Sequence, residues 1–453
     1  MKKYFVFIFC FLLMGAFWIG SCGESKPDPC ETDPGPECPN YVDPCEIDPQ
    51  PGCPNYVDPE MPVLASSITI GTVEYVVDDK KIEKLDDDLW YMYAQTKNAA
   101  KPLIIHSVRY TTTSTGYGIE TWVGNDSITG KERPQAMVNR YEQAGREVKM
   151  VINGGFFGMS EGGTPIGWQA SKGLLTFLPS EGEELNFPII GFDNQNLPYM
   201  DFMNFTGKVK KESDNSEWDI THINGGRWTD FLVLYNSYRG KRTGTNQYGI
   251  EALCNPLERD WEIYDSYTNV RCKVEQISTQ GNMIIPKGKI VLSGHGTADN
   301  QFLNTLKVGD YVYVTVDYAL KDNPKITSTT IRNTISGYPY IILKDNNVIH
   351  SPGLEPALEN QDNPRTSVGY SADKKYVYFT VVEGRNPTQA APTISAGVST
   401  GELAQVMQYF GAAHAINLDG GGSTCMMIGK DTKNFVSDGS QRAVADGLAI
   451  IKK

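Results

Sequence analysis

Three stretches of the chain combine an apolar run, a polar side chain and glycine. In each stretch the polar residue stands where the apolar run ends: Asn153 before Gly154 and Gly155, Glu383 before Gly384, and Asp419 before Gly420, Gly421 and Gly422. A side chain at the end of a strand is held rigidly, and glycine lets the backbone approach a ligand because it has no Cβ atom. Consecutive glycine N–H groups can also form a concave anion site. Each stretch taken singly can be explained as a simple turn. In the stretch after Asp419, however, ordering three consecutive glycines costs so much backbone entropy that a functional role is favoured.

Five segments of the sequence follow one another in a recognisable order. They are Ile152–Phe157, Pro364–Gly369, a capped helix near residue 400, Asn417–Thr424 and Gln441–Ala445. This set resembles the phosphodiester glycosidase family, from about residue 148 to the C-terminus. The resemblance implies cleavage of a sugar that is linked through its anomeric carbon to a phosphodiester, with release of a phosphomonoester. Three positions differ from the family pattern: Glu383 replaces a frequent Asp, Cys425 replaces a small or hydroxyl residue, and Ala443 follows Arg442 where Pro is frequent.

The resemblance and the residue types together assign catalytic roles to Asp419, Glu383 and Asn153. A glycosidase uses two carboxyl groups around an oxocarbenium-like transition state, and Asp419 and Glu383 can supply them. Asp419 is expected to be the more essential one, because its glycine neighbours leave room for a sugar ring.

The leaving group in such a reaction is a phosphate oxygen, whose low pKa makes charge stabilisation more important than protonation. The planar guanidinium pairs with two phosphate oxygens, which suits Arg365, Arg385 and Arg442, although a surface salt bridge is the alternative role for each. We expect Asn153 and the Asp419 loop to line one pocket. The predicted substrate-binding residues are Gly154, Gly155, Phe156, Arg365, Thr366, Arg385, Gly420, Gly421, Gly422, Ser423, Thr424 and Arg442.

Other chemistries fit the sequence poorly. Ser423 is not in a G-x-S-x-G elbow, and the motifs H-E-x-x-H, C-x-x-C and the P-loop do not occur. His414 and Cys425 could form a dyad, but Cys425 is predicted to be a packed thiol on a buried strand. The remaining histidines stand alone in the sequence, so no metal site is predicted. No cofactor is expected, and a carboxylate-bound Ca²⁺ stays open.

The elements that must position these residues are mostly strands. Val148–Ile152, Phe231–Tyr235, Tyr311–Val316, Tyr376–Val382 and Ala415–Leu418 have the composition of strands. One helix is well marked: Ser399 and Glu402 form a capping box, apolar residues recur at helical spacing, and Gly411 ends it. The fold class is therefore α+β, with a mainly β-sheet core and a few flanking helices. Residues 236–300 are interpreted as loops and hairpins around the main sheet, with a disulfide favoured between Cys254 and Cys272.

The N-terminal sixty residues indicate export. Residues 1–21 form a predicted signal peptide, because Lys2 and Lys3 precede a short apolar run. Its end, Gly20-Ser21-Cys22, resembles a lipobox, so Cys22 is the predicted lipidation site; an ordinary cleaved signal or an uncleaved anchor is the alternative. Residues 22–60 are predicted to be a disordered Pro/Cys-rich tether, since this segment holds a tandem repeat with a period of fifteen residues and few apolar side chains.

The rest of the chain divides into residues 61–147, the predicted N-terminal part of the fold, and residues 148–453, the predicted phosphodiester glycosidase domain. The net charge of the chain is −13, and its basic residues form no cluster of the kind that binds nucleic acid, so a nucleic-acid partner is not expected. The expected partners are a phosphorylated glycan or sugar-phosphate substrate and a membrane, reached through the lipid anchor in the cell envelope. Two other functions remain open: a glycan-binding surface lipoprotein with weak or no catalysis, and an adhesin or structural surface protein.

Overall fold

The structure is a computed structural model of the 453-residue chain. It describes residue 53 and residues 56–98, 101–159, 162–179, 187–338, 340–350, 360–385 and 395–453. The predicted signal peptide, Cys22 and most of the predicted tether lie outside the described residues. Cys53, the last cysteine of the tandem repeat, is disulfide-bonded. The chain divides into two compact units, Met1–Met61 and Pro62–Lys453, and the second carries every predicted catalytic residue.

The elements of the second unit are numbered in chain order. The strands are β1 Ser67–Ile70, β2 Val73–Val76, β3 Asp79–Asp86, β4 Leu89–Thr96, β5 Leu103–Thr111, β6 Tyr117–Val123, β7 Val148–Asn153, β8 Gln169–Ser171, β9 Leu174–Phe177, β10 Ile189–Asp193, β11 Pro198–Asp201, β12 Met203–Lys211, β13 Glu217–Asp219, β14 His222–Ile223, β15 Leu232–Tyr235, β16 Ile250–Pro256, β17 Val270–Ser278, β18 Ile290–Gly294, β19 Tyr311–Leu320, β20 Ile331–Ser336, β21 Ile341–Lys344, β22 Asn347–Val348, β23 Arg365–Tyr370, β24 Tyr376–Val382, β25 His414–Asn417, β26 Met426–Ile428, β27 Asp431–Thr432 and β28 Asp446–Lys452. The α-helices among the described residues are α1 Pro134–Gln143, α2 Thr297–Gln301 and α3 Thr400–Phe410. The predicted α+β class with a mainly β core is confirmed.

Two sheets carry the predicted site. The first has eight strands in the order β22-β21-β25-β23-β24-β5-β4-β3, and the second has five in the order β27-β26-β7-β28-β6. Their apolar side chains alternate between faces with the period of two that strands impose. In β24, for example, Val377, Phe379 and Val381 belong to a core shared with β7 and β28, whereas Tyr378 and Val382 belong to a core shared with α3. The two sheets therefore pack face to face.

Each of these sheets is covered by a helix on its other side. α3 packs through Leu403, Val406, Met407 and Phe410 against the eight-stranded sheet, and α1 packs through Met137 and Val138 against the five-stranded one. α3 begins as the sequence predicted, since Ser399 accepts from the Glu402 N–H and the Glu402 carboxylate accepts from the Ser399 N–H. The resulting order of layers is helix, sheet, sheet, helix, which buries both faces of each sheet.

The interpretation of residues 236–300 as surroundings of the main sheet was wrong. β16, β17 and β18 form the centre of a separate eight-stranded sheet, ordered β13-β12-β19-β17-β16-β18-β15-β14, with an apolar core of its own. The favoured disulfide was also wrong: Cys254 and Cys272 are free and buried. Register explains this, because Cys254 pairs with Val274 and Cys272 with Pro256, so the two thiols are offset on neighbouring strands.

A further sheet of five strands, ordered β11-β10-β20-β8-β9, and a hairpin of β1 and β2 complete the described strands. Among the described residues, every helix is too short or too polar to cross a membrane.

Candidate active site

Asp419 lies in a tight turn directly after β25. Its backbone N–H donates to the Gly154 carbonyl at 3.0 Å, which connects this turn to the glycine turn that follows β7. Its carboxylate Oδ1 accepts from the Gly420 N–H at 2.9 Å, and a single 3₁₀ turn, Gly421–Ser423, comes next. The two glycine stretches that the sequence singled out are therefore in direct contact.

Asn153 connects the same two turns through its side chain. The Nδ2 amide donates to the Asp419 carbonyl at 2.6 Å. The Oδ1 oxygen accepts from the Thr366 hydroxyl at 2.7 Å and from the Cys425 N–H at 3.0 Å. The residue is completely buried. Since both ends of this amide are occupied by the protein, the geometry gives Asn153 the role of holding the Asp419 turn, and its predicted catalytic role stays a prediction.

The three consecutive glycines each leave room for a particular neighbour. A Cβ atom on Gly420 would lie 2.6 Å from the Pro364 carbonyl oxygen, and one on Gly421 would lie 3.0 Å from the Arg385 guanidinium. A Cβ atom on Gly422 would lie 2.2 Å from the Arg442 guanidinium. Gly421 also has a φ of +60°, which favours glycine. The missing side chains thus allow two arginines to lie against the backbone of this turn.

The anion nest predicted for these glycines is only partly available in this geometry. The Gly420 N–H is bonded to the Asp419 carboxylate, and the Gly421 N–H donates to the Pro364 carbonyl at 2.8 Å. Two of the three N–H groups are therefore used within the chain. The positive charge at the turn comes from the arginine side chains instead.

Arg385 and Arg442 are both held in place and both reach the surface. Arg385 is exposed, and its Nε and Nη2 donate to the Asn363 side chain at 3.0 and 2.7 Å. Arg442 is partly buried and pairs with Asp438, with an Nη2 to Oδ2 distance of 2.7 Å. Its Nη1 points to the Ser423 hydroxyl at 3.4 Å. Each guanidinium is anchored through some of its N–H groups, which orients it for a ligand.

Arg365 lies near Arg385 and is 2% exposed. Its Nε donates to the Val398 carbonyl at 3.1 Å, and its Nη2 donates to the Gln361 carbonyl at 3.0 Å. Burial and the nearby Arg385 charge lower the pKa of Arg365 to about 10. The sequence prediction that Arg365 binds phosphate stays a prediction, and the contacts observed are those of a side chain that holds loops together.

Burial has the largest effect on the pKa of the Asp419 carboxyl. Burial raises the pKa of Asp419 to about 6, against the opposing effects of a hydrogen bond from Ser423 and the Arg442 charge. Ser423 is 1% exposed and lies between the Arg442 guanidinium and the Asp419 carboxylate. Asp419, Ser423 and Arg442 are therefore close neighbours at this turn. Thr424 follows, is 1% exposed, and has a hydroxyl without a hydrogen-bond partner in the described part of the chain.

Glu383 directly follows β24, which is two strands away from β25 in the same sheet. Its carboxylate Oε1 accepts from the Phe435 N–H at 2.8 Å and lies 2.9 Å from His106 Nε2. The loop that contains Phe435 is tied to the Asp419 segment, since Asn434 donates to the Thr424 carbonyl at 3.0 Å. Glu383 is 5% exposed, so it is a buried carboxyl near the turn rather than a surface group.

Asp446, at the start of β28, is a carboxyl that the sequence reasoning missed. Its Oδ1 accepts from the Gly155 N–H at 2.8 Å, and its Oδ2 accepts from the Gln169 amide. Burial raises the pKa of Asp446 to about 8, and the charge of Asp419 acts in the same direction. The only local signal is an Asp-Gly pair, which usually indicates a simple turn. A Cβ atom on Gly154 would lie 2.2 Å from the Asp446 carboxylate, so this buried acid explains that glycine.

Phe156 lies partly exposed just beyond this turn. Its ring meets Tyr338 edge to face at 5.3 Å between centroids, and the Tyr338 N–H donates to the Asn417 carbonyl at 3.0 Å. An aromatic pair thus stands beside the Asp419 turn.

Cys425 is buried, and burial raises the pKa of its thiol to about 12, so the predicted packed thiol is confirmed. His414 stacks on Tyr370.

The predicted residues therefore converge. Asn153, Thr366, Asp419 and Cys425 share one hydrogen-bond network, with Arg385 and Arg442 against the glycine turn. Within the part of the chain that the structure describes, no three His, Cys, Asp or Glu side chains are grouped so that they could hold a metal ion. The arrangement offers carboxyl groups and guanidinium groups, the two kinds that glycosidic chemistry at a phosphate ester would use.

Comparison with known proteins confirms the resemblance seen in the sequence. The phosphodiester glycosidase family model matches residues 264–451, which include Glu383, Asp419 and Arg442. The turn that contains Asn153 lies before the matched range. No curated protein matches the sequence.

Solved structures show that the fold has precedents. A hypothetical protein from Synechocystis matches with a TM-score of 0.62 and 16% identity over 83% of this chain; this chain spans 64% of that protein's length. A protein described as exported, from Burkholderia pseudomallei, matches with a TM-score of 0.62 and 15% identity over 85% of this chain and 100% of its own. Both likenesses concern the fold alone. The catalytic domain of zebrafish N-acetylglucosamine-1-phosphodiester alpha-N-acetylglucosaminidase matches with a TM-score of 0.41 and 12% identity over 83% of this chain and 88% of its own, a similarity too low to support an argument.

Proposed function

From the match of residues 264–451 to the phosphodiester glycosidase family, we propose that the protein hydrolyses a sugar-1-phosphodiester and leaves a phosphomonoester. The observation that carries the proposal is the contact of Arg385 and Arg442 with the Gly421 and Gly422 backbone, next to Asp419. A carboxyl and two anchored guanidinium groups at one turn fit a substrate that has an anomeric carbon beside a phosphate.

The two arginines act on the phosphate. A phosphodiester carries one negative charge, and the phosphomonoester that leaves carries close to two near neutral pH. Charge therefore grows on the phosphate oxygens as the bond to the sugar breaks. Guanidinium groups that are already oriented stabilise this growing charge more than the starting charge, which lowers the barrier rather than only tightening binding.

Asp419 acts on the sugar. The bond that breaks joins the anomeric carbon to the phosphate oxygen, and its electron pair leaves with the phosphate. Water adds to the anomeric carbon and loses a proton. In its ionised form Asp419 stabilises the positive charge that develops on the sugar ring, as one carboxylate of a glycosidase does. The Ser423 hydroxyl lies next to this carboxylate and accepts from Arg442 Nη1 at 3.4 Å.

Glu383 is the proposed second carboxyl group. Its Oε1 is held by the protein, and its Oε2 has no hydrogen-bond partner among the described residues. Asp446 has both oxygens occupied by Gly155 and Gln169, so it supports the Asn153–Gly155 turn and does not face the substrate. This division gives two carboxyl groups near the substrate and one behind it.

The experiment is turnover of synthetic sugar-phosphate-sugar diesters made with several sugars, measured as free sugar released. Asp419→Asn keeps the size of the side chain and removes its charge, and it should reduce turnover by about 10²–10⁴-fold. Asp431→Asn, an exposed carboxyl on β27, is the matched control and should behave as wild type. Binding of these diesters without any turnover would contradict the proposal and favour the alternative, a glycan-binding surface lipoprotein.

We propose that the reaction takes place in the cell envelope, with the protein anchored through a lipid on Cys22. The support is the lipobox-like segment and the acidic tether that follows it. Replacing Cys22 by Ala should move the protein from the membrane fraction to the soluble fraction. Unchanged membrane association would contradict the anchor and leave the enzymatic proposal untouched.

A further inference from the structure

Three buried side chains on adjacent strands form a continuous hydrogen-bonded chain that ends at Glu383. The Tyr91 hydroxyl on β4 lies 2.8 Å from His106 Nδ1 on β5. His106 Nε2 lies 2.9 Å from Glu383 Oε1, which follows β24. Their exposed fractions are 6%, 4% and 5% in that order. Neither Tyr91 nor His106 belongs to the segments that carry the family resemblance, and neither has a part in the reaction described above.

The partners give this chain one consistent set of hydrogen-bond directions when Glu383 is ionised and His106 is neutral. An ionised carboxylate only accepts, and Glu383 Oε1 already accepts from the Phe435 N–H at 2.8 Å. His106 Nε2 then carries a proton and donates to Glu383, and in a neutral imidazole Nδ1 is an acceptor. Tyr91 supplies the donor that Nδ1 needs, and burial raises the pKa of Tyr91, so its hydroxyl keeps the proton. A neutral imidazole satisfies the whole arrangement.

The chain also decides which Glu383 oxygen can meet a ligand. Oε1 receives two donors, from β5 and from the Phe435 loop. Oε2 has no hydrogen-bond partner among the described residues, so it is the oxygen left to bind a ligand. Rotation of the carboxylate would break both bonds to Oε1. Two positions further along, Arg385 lies against Gly421, so the same segment carries a second group of the proposed site.

We propose that His106, supported by Tyr91, is a positioning residue that holds Glu383 with Oε2 directed to the substrate. This inference rests on the proposed function, in which Glu383 is the second carboxyl group. A histidine that is oriented by one partner and in turn orients a reacting group is a recurrent device, because the partner fixes both the tautomer and the ring plane. His106 acts through Glu383 and does not touch the substrate.

The test combines turnover with the tautomer of His106. Tyr91→Phe removes only the hydroxyl at the far end of the chain, and Tyr93→Phe is the matched control, because the Tyr93 hydroxyl donates to Gln95 instead. His106→Leu removes the donor to Glu383, and His106→Gln can restore an N–H at that place. We expect His106→Leu to lower kcat by about 10–100-fold with little change in KM. His106→Gln should recover part of this loss, Tyr91→Phe should lose less, and Tyr93→Phe should lose nothing.

Nitrogen-15 NMR of the imidazoles supplies a readout that does not depend on turnover, and the chain has only five histidines to assign. We expect His106 to be protonated on Nε2, with Nδ1 bare, and Tyr91→Phe to shift the Nδ1 signal. A proton on Nδ1 alone would overturn the proposal. Wild-type kcat in both His106 variants, with folding confirmed by thermal unfolding, would also overturn it. If the wild-type protein cleaves none of the diesters, the proposed function fails, whereas the NMR result still decides how the Glu383 carboxylate is held.

Discussion

Asn153 donates its side-chain amide to the backbone carbonyl of Asp419 at 2.6 Å, although 266 positions separate the two residues in the chain. The bond joins the end of β7 in the five-stranded sheet to the turn after β25 in the eight-stranded sheet. Two sheets that pack face to face therefore meet at the proposed active site. The position of the Asp419 carboxyl depends on this contact as much as on its own strand.

Replacing Asn153 should affect stability and activity together. Asn153→Ala removes both ends of a fully buried amide and leaves the Thr366 hydroxyl, the Cys425 N–H and the Asp419 carbonyl without their partner. We expect a loss of about 2–4 kcal/mol in the free energy of unfolding, measured by denaturant titration, and a fall in kcat. Asn194→Ala, at an exposed asparagine, is the control. A variant that keeps full stability while losing activity would show that Asn153 acts on the substrate directly.

Substitution should affect activity at Arg385 and Arg442 and stability at Arg365. Arg385→Lys and Arg442→Lys keep the charge but lose the planar fork, so we expect kcat/KM on a phosphodiester to fall by about 10-fold each with unchanged thermal stability. Arg365→Lys cannot reach the Val398 and Gln361 carbonyls together, so it should lower the unfolding temperature. The reverse result, a stable Arg365→Lys protein with selectively reduced phosphate binding, would support the phosphate-binding role that the sequence predicts for Arg365.

The sequence was informative where a local pattern has one physical meaning. The boundaries of β24 and the capping box of α3 follow from alternation and from side chains that bond their own backbone. The entropic cost of ordering three consecutive glycines favoured a functional role for Gly420–Gly422. A side chain on any of them would lie within about 3 Å of a neighbouring group. These features depend on residues that are near one another in the chain.

Other parts of the site could not be read from the sequence because they depend on contacts between distant segments. Nothing local distinguishes the buried Arg365 from the exposed Arg385, since burial is decided by the loops that close over each. Asp446 is followed by residues of an ordinary strand, and its importance comes from Gly155 and Gln169. The pairing partners of β16 to β18 include β15 and β19, which are distant in the chain, and this concealed the second eight-stranded sheet.

Activity should depend on pH through Asp419. Burial raises the pKa of this carboxyl from 3.8 to about 6, and the proposed reaction uses its ionised form. We therefore expect kcat/KM to rise with pH and to reach a plateau above about pH 6. A profile of initial rates from pH 4 to pH 8 measures this. A rate that is highest at pH 4 would mean that the protonated form is the active one.

Stability should depend on pH through Asp446, with the opposite sign to the usual effect of acidic residues. Burial raises the pKa of this carboxyl from 3.8 to about 8, so the folded protein binds more protons than the unfolded chain between these values. The free energy of unfolding should therefore fall as pH rises through this window. Asp446→Asn removes the titrating group. The oxygen of the new amide can still accept from the Gly155 N–H, and its NH2 group can donate to Gln169 once the Gln169 amide has turned to present its oxygen. We expect a smaller decrease in stability between pH 5 and pH 8 for this variant than for wild type.

The central claim is that the enzyme breaks the bond between the anomeric carbon and the phosphate oxygen. The most direct measurement is hydrolysis of a sugar-phosphate-sugar diester in water enriched in oxygen-18, followed by mass spectrometry of the phosphomonoester. Attack at the anomeric carbon predicts a phosphomonoester without label, and the same reaction should be nearly lost in Asp419→Asn. One oxygen-18 atom in the phosphomonoester would show that water attacks phosphorus, which would contradict the proposed roles of Asp419 and Glu383.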